Sequence, residues 1–363
     1  MGLLRGFLLA TAIAAMAVGI YGGLVRIGAI PDFGPELALS HGPIMLCGLF
    51  GTLISLERAV AMERAAWTYI APALFAVGLV GLLAGAPAIV PALLFVAGAA
   101  VLTAGALLAA WQQPALFTLT PAAGAAALLV GNALWAAGTA IPDLVVWWVA
   151  FLVSTIAAER LELSRALRLP ATARPVFAAA LGLLFAGAAI GFGSELGRPV
   201  TGAALLATAI WLARFDTART LIGRPGATRY SAASMLAGYF WLAVAGLLLL
   251  AGGGLIFQYD LALHAVFIGF VLSMLLGHAP IVLPMVTGIK LGYRNALYVP
   301  LALLQLSVIL RVLGGLWERD DIRMFSGPLT AAALMVFAGV VLSLVRPKRA
   351  PGGRGAGRGP DAR

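Results

Sequence analysis

Histidine is scarce in this chain: His41, His264 and His278 are the only three among 363 residues. All three fall in runs apolar enough to be membrane spans. His41 opens LSHGPIMLCGLFGTLISLERAV, and the other two share QYDLALHAVFIGFVLSMLLGHAPIVLPMVTG, from Gln258 to Gly288. An imidazole inside lipid is costly unless it faces protein, a cavity or a cofactor. His41 stands about one turn inside its span and His264 about as far into its own. With both spans running in the same direction, the two rings lie at similar depth near the outer boundary. Two neutral imidazoles from different helices at one depth suit the two axial positions of a single haem iron. His278 follows 14 residues after His264, about 21 Å along a helix axis, so one iron cannot take both. His278 is a third candidate metal or ligand residue, nearer the inner face. Pro280 and Pro284 beside it are expected to loosen the helix and free carbonyls that protein or water must satisfy.

A second chemistry competes for the same residues. Met45 lies four residues after His41 and Met274 four before His278, so each pair shares a helix face, with Cys47 close by. Thioether, thiolate and imidazole ligands suit Cu(I), which makes a copper-handling permease or transporter the alternative. The charged intramembrane residues expected of an ion-coupled carrier are mostly missing from the spans. A membrane assembly factor without a cofactor is a third reading.

The elements that must position these residues follow from composition. The chain is 62% hydrophobic and 10% charged, with a mean hydropathy of +1.02. Soluble domains carry about a quarter charged residues, so an all-α, polytopic membrane helix bundle in a lipid bilayer is expected. Apolar runs of about 20 residues place twelve spans near 5–28, 39–62, 67–85, 89–111, 116–140, 143–160, 175–192, 199–213, 231–252, 259–282, 295–315 and 327–345. The eighth is the shortest. Arg5 and the small residues Ala12 to Ala17 have the look of a signal peptide. The apolar run from Phe7 to Val25 is long enough to cross the bilayer, which favours an uncleaved first helix.

Charge sets the orientation. All but five of the 24 Lys and Arg (Arg26, Arg198, Arg311, Arg319 and Arg323) fall in alternate connections or at the chain ends. The positive-inside rule then puts both termini in the cytoplasm. Residues 1–345 read as one transmembrane helical domain and 346–363 as a basic, disordered cytoplasmic tail that touches anionic lipid. The net charge of +10 is explained by topology, and no nucleic-acid partner is implied. Glu57, Arg58, Glu159 and Arg160 read as helix-end anchors with i,i+3 or i,i+4 pairing. Trp147 and Trp148 read as interfacial belt residues, and Gly42, Gly269 and Gly277 as close-packing positions. A single cysteine excludes an internal disulfide and a Cys-rich metal cluster. Phosphate-loop, dinucleotide and c-type haem attachment motifs are absent from the sequence, so ATP- or NAD-driven chemistry is not expected.

The run SHGPIM at His41 resembles the second-helix motif of haem–copper oxidase subunit I, where A/S-H-x-x-x-M supplies one axial ligand of the low-spin haem. The other ligand in that family comes from the tenth helix, the predicted span that carries His264. Within that group the chain is most similar to NnrS-type membrane proteins, twelve-span haem proteins linked to nitric-oxide tolerance. Their late helix carries H-A-x-x-x-G-x-x-x-x-M followed by G-H, here His264, Ala265, Gly269, Met274, Gly277 and His278. The resemblance implies haem b held by His41 and His264, and a role in electron transfer or in handling nitric oxide or a similar small ligand. It also implies a bacterial-type cytoplasmic membrane and an electron donor in or outside that membrane. The sixth and seventh spans lack the copper-binding histidines of the oxidases, so neither oxygen reduction nor proton pumping of the oxidase kind is expected.

Overall fold

The computed structural model describes residues 2–31, 35–62, 65–252 and 254–345. Arg64 and the basic tail, which are among the Lys and Arg of the charge argument, lie outside them. The described residues are helical throughout, with one isolated antiparallel bridge between Leu291 and Val345. Eleven helices are long and apolar enough to cross a membrane. They are α1 (Gly2–Arg26), α2 (His41–Ala61), α3 (Ala66–Leu83), α4 (Ile89–Gln112), α5 (Leu116–Ala136), α6 (Ile141–Ala166), α7 (Ala173–Ile190), α9 (Ala227–Leu250), α10 (Gln258–Thr287), α11 (Asn295–Leu316) and α12 (Asp320–Leu344). Between α7 and α9 lies α8 (Gly197–Phe215), the predicted eighth span. Arg198, Thr201, Thr208 and Arg214 make it less apolar than the rest. Its 19 residues nevertheless equal or exceed α3 and α7 in length, and it packs between α7 and α9.

The helices are hydrophobic on every side, as a bundle with lipid outside requires. Trp148, Phe75, Phe95, Phe151 and Trp211 are fully buried between helices, whereas Phe7, Val77, Leu93, Ile210, Phe240 and Leu342 point outward. That outer surface would associate in water and is satisfied by lipid tails. Sequence neighbours pack side by side, and the first helix, α1, also touches the last, α12. Leu8, Leu56, Tyr69 and Val286 form one cluster. Arg5 Nε donates to Tyr69 Oη (2.8 Å), and the amide of Gly292 donates to the carbonyl of Leu344 (2.9 Å). One end of the bundle therefore gathers both described chain ends together with the basic connections.

Two readings of the charged and aromatic residues are corrected here. Arg58 pairs across helices with Glu159 (2.6 Å), tying α2 to α6, and makes no i,i+4 bond within α2. Arg160 is only 4% exposed, its Nη1 against the Met235 sulfur, so it is a buried residue and no headgroup anchor. Trp147 sits half-buried with its edge against Phe185, but Trp148 is wholly buried and donates from Nε1 to Asn132 Oδ1 (2.9 Å). It belongs to the core, because an indole inside the bundle needs a hydrogen-bond acceptor and Asn132 provides one.

Candidate functional site

The structure brings His41 and His264 together. Their ring centroids are 6.5 Å apart and their planes differ by 10°. Both line a cavity of about 370 Å³ between α1, α2, α6, α10, α11 and α12, toward the end of the bundle opposite the basic connections. Aliphatic and aromatic residues, among them Ile20, Leu46, Phe50, Trp148, Phe267 and Leu334, form most of its wall. Arg26, Asp260, Arg311 and Arg323 form its polar part.

Each imidazole is oriented through Nδ1. His41 Nδ1 lies 2.6 Å from the Gly19 carbonyl on α1, and His264 Nδ1 lies 2.7 Å from the Asp260 carbonyl one turn back. A carbonyl only accepts, so Nδ1 carries the proton in both rings and Nε2 keeps the lone pair. Metal-binding histidines are commonly held this way. The seat for His41 is made by α1 glycines. A methyl at Gly23 would stand 2.9 Å from His41 Cε1, and one at Gly22 would meet the Leu37 carbonyl at 2.5 Å. Met45 packs its sulfur on Gly19 and also lines the cavity.

His264 directly precedes a widened stretch of helix, and His41 stands three residues before another. Ile44–Gly51 in α2 and Ala265–Leu272 in α10 are π-helical. Such turns are uncommon and recur at functional sites. Each contains a glycine on which a neighbour's ring rests. Cβ positions at Gly51 and Gly269 would lie 2.9 Å from the Phe75 ring and 2.5 Å from Trp241. The close-packing expectation thus describes Gly269, and also Gly277, whose Cβ would be 2.8 Å from Ser234 Cβ. It does not describe Gly42, which has ordinary room (3.8 Å to Trp148 and Ile141), because α2 there borders the cavity.

His278 does not join this site. Its Nδ1 lies 2.8 Å from the Met274 carbonyl, and its Nε2 is buried without a hydrogen-bond partner. The helix stays α-helical through both prolines to Thr287, but Pro280 has no N–H for the Leu276 carbonyl, and Tyr230 Oη donates to that carbonyl instead (3.2 Å). Met274 turns its methyl toward Gly238, and Cys47 donates to Asn132 Oδ1 (3.2 Å). The copper set is therefore split between two places, with only Met45 beside His41. Among the described residues no group of three or more His, Cys, Asp or Glu could hold a metal ion by itself.

The polar part of the cavity is an ion cluster that the sequence-based expectations do not include. Arg311, in the last third of α11, grips Asp260 through Nη2 (2.7 Å) and Nε (3.0 Å), and Arg323 of α12 approaches the same carboxylate at 3.4 Å. The signal was present. An arginine inside an apolar span needs a counter-charge, and Asp260 precedes His264 by one turn. Arg311 and Arg160 are the buried exceptions to the expectation that charged residues are mostly missing from the spans.

No curated protein and no solved structure matches the chain. The model of a family described as a domain of unknown function, DUF8744, matches residues 5–346. Since that match covers nearly the whole length, the chain belongs to the DUF8744 family.

Proposed function

We propose that this protein is a haem b membrane protein in which His41 and His264 are the two axial ligands. The observation that carries the reading is the facing pair of Nδ1-anchored imidazoles across an apolar cavity. A metal bound at about 2 Å to one nitrogen of each ring sets ring centroids roughly 6 Å apart, close to the 6.5 Å present. Two imidazoles are too few for a bare iron ion, and a porphyrin would complete the coordination itself. Haem, when bound, supplies a one-electron couple. The α1 glycines and the Asp260 carbonyl hold the two ligands, and the apolar wall excludes water. With both axial positions filled, electron transfer from a donor in or outside the membrane is the favoured activity. Nitric oxide or a similar ligand could bind only by displacing a histidine. The resemblance to NnrS-type proteins supports the same reading, and the proposal extends to twelve crossings with both termini inside and to a bacterial-type cytoplasmic membrane.

Purified protein should show the sharp reduced bands of a six-coordinate haem b and contain about one iron per chain. His41→Ala and His264→Ala should each abolish haem retention, and an intact haem spectrum in His264→Ala would overturn the assignment. Copper has one observation in its favour, the Met45 thioether in the same cavity as the two imidazoles. Copper without iron in the purified protein would select that reading.

A further inference from the structure

The two imidazoles of the cavity are not equivalent. His41 Nδ1–H meets one neutral acceptor, the Gly19 carbonyl. His264 Nδ1–H meets two acceptors on a single residue, the Asp260 carbonyl at 2.7 Å and the Asp260 carboxylate at 3.2 Å. That carboxylate is held from outside α10. Arg311 takes both its oxygens, and Arg323, which also pairs with Asp320 at 2.8 Å, approaches Oδ2. The Arg311 side chain is 9% exposed and that of Arg323 16%, so solvent screens the cluster only partly.

We propose that Asp260 is a positioning residue for His264 and that the Asp260–Arg311–Arg323 cluster sets the reduction potential of the iron. The inference rests on the haem reading above. A carboxylate acceptor on Nδ1–H makes the imidazole a stronger donor through Nε2, which favours the ferric state. The two guanidinium groups pull the other way, since positive charge near the iron favours the ferrous state. The carboxylate thus lies between a ligand that it strengthens and two cations that it neutralises. Removing it weakens the ligand and uncovers the cations, and both changes raise the potential. Removing a cation leaves the carboxylate less compensated and lowers it. Opposite signs from neighbouring substitutions are what an electrostatic role produces and what loosened packing does not.

The test is a spectroelectrochemical titration of the purified full-length protein at one fixed pH, comparing wild type with Asp260→Asn, Asp260→Glu, Arg311→Gln and Arg323→Gln. In Asp260→Asn the ferrous-to-ferric ratio at a given ambient potential should rise at least tenfold, a shift of about 59 mV for one electron. Arg311→Gln and Arg323→Gln should lower it, and Asp260→Glu should return it toward wild type. Equal potentials in wild type and Asp260→Asn, or shifts of one sign in all variants, overturn the inference while leaving the haem assignment intact. If Asp260→Asn does not accumulate, the two arginine variants decide: a fall in both supports the proposal, and no change or a rise in either overturns it. A wild-type protein without haem removes the functional reading itself, and the first spectrum reveals that before any variant is made.

Discussion

His41 and His264 reach one cavity by different routes, and each route can be broken separately. His264 is oriented by its own helix, through the carbonyl one turn back. His41 depends on α1, because its ring lies where a Gly23 side chain would be. Gly23→Val should therefore push the ring out of line without touching a ligand, and the haem-to-protein ratio should fall severalfold while membrane accumulation stays near wild type. Pigment content measured against protein checks this. Asn132 works one layer further out. It accepts from Trp148 and Cys47 and donates to the Phe95 carbonyl (3.1 Å), joining α2, α4, α5 and α6 at a fully buried point. Asn132→Ala leaves the indole N–H and the carbonyl unpaired, and buried groups orphaned in this way cost on the order of 2–3 kcal/mol. A lower unfolding midpoint in detergent should report the loss.

At the level of elements, α10 does most of the positioning. It carries His264, then a widened stretch, then His278 and two prolines. Pro280 removes the amide that would serve the Leu276 carbonyl, and Tyr230 on α9 donates to that carbonyl across the helix pair. The two substitutions should therefore be coupled. Tyr230→Phe alone orphans a buried carbonyl and should destabilise by about 1–3 kcal/mol. In a Pro280→Ala background, where a backbone amide is restored, the same change should cost much less. A double-mutant cycle on unfolding free energies measures the difference, and additive effects would refute the coupling. The π-helical stretches after His41 and His264 leave no mark in hydrophobic period, since α2 and α10 are apolar all round. They were not legible in the sequence for that reason.

For the whole molecule, the cluster of Leu8, Leu56, Tyr69 and Val286 and the Gly292–Leu344 hydrogen bond bring both described chain ends to the face that bears the Arg-rich connections. The positive-inside rule predicts that this face is the cytoplasmic one. A fluorescent reporter that matures only in the cytoplasm should light up when fused ahead of Met1 or after Arg363, and stay dark when inserted at Gly193, between α7 and α8. Fluorescence at Gly193 would mean that α8 or a neighbour does not cross. The cavity with the two histidines lies toward the opposite face, so electron donors on the two sides would stand at very different distances from a group held by His41 and His264.

Composition alone determined that this chain is a helical membrane bundle. Burying so much apolar surface with so little charge leaves few alternatives, and span length follows from bilayer thickness. The pairing of His41 with His264 was also foreseeable, because depth in a membrane can be counted from span ends. Lateral position cannot be counted that way. Which helix faces which is decided by side-chain shape, and only the packed structure showed glycines on α1 seating His41, Trp148 turned inward to Asn132, Arg58 reaching α6, and Arg311 closing on Asp260. Those contacts join residues 16 to 101 positions apart, and no local periodicity encodes them.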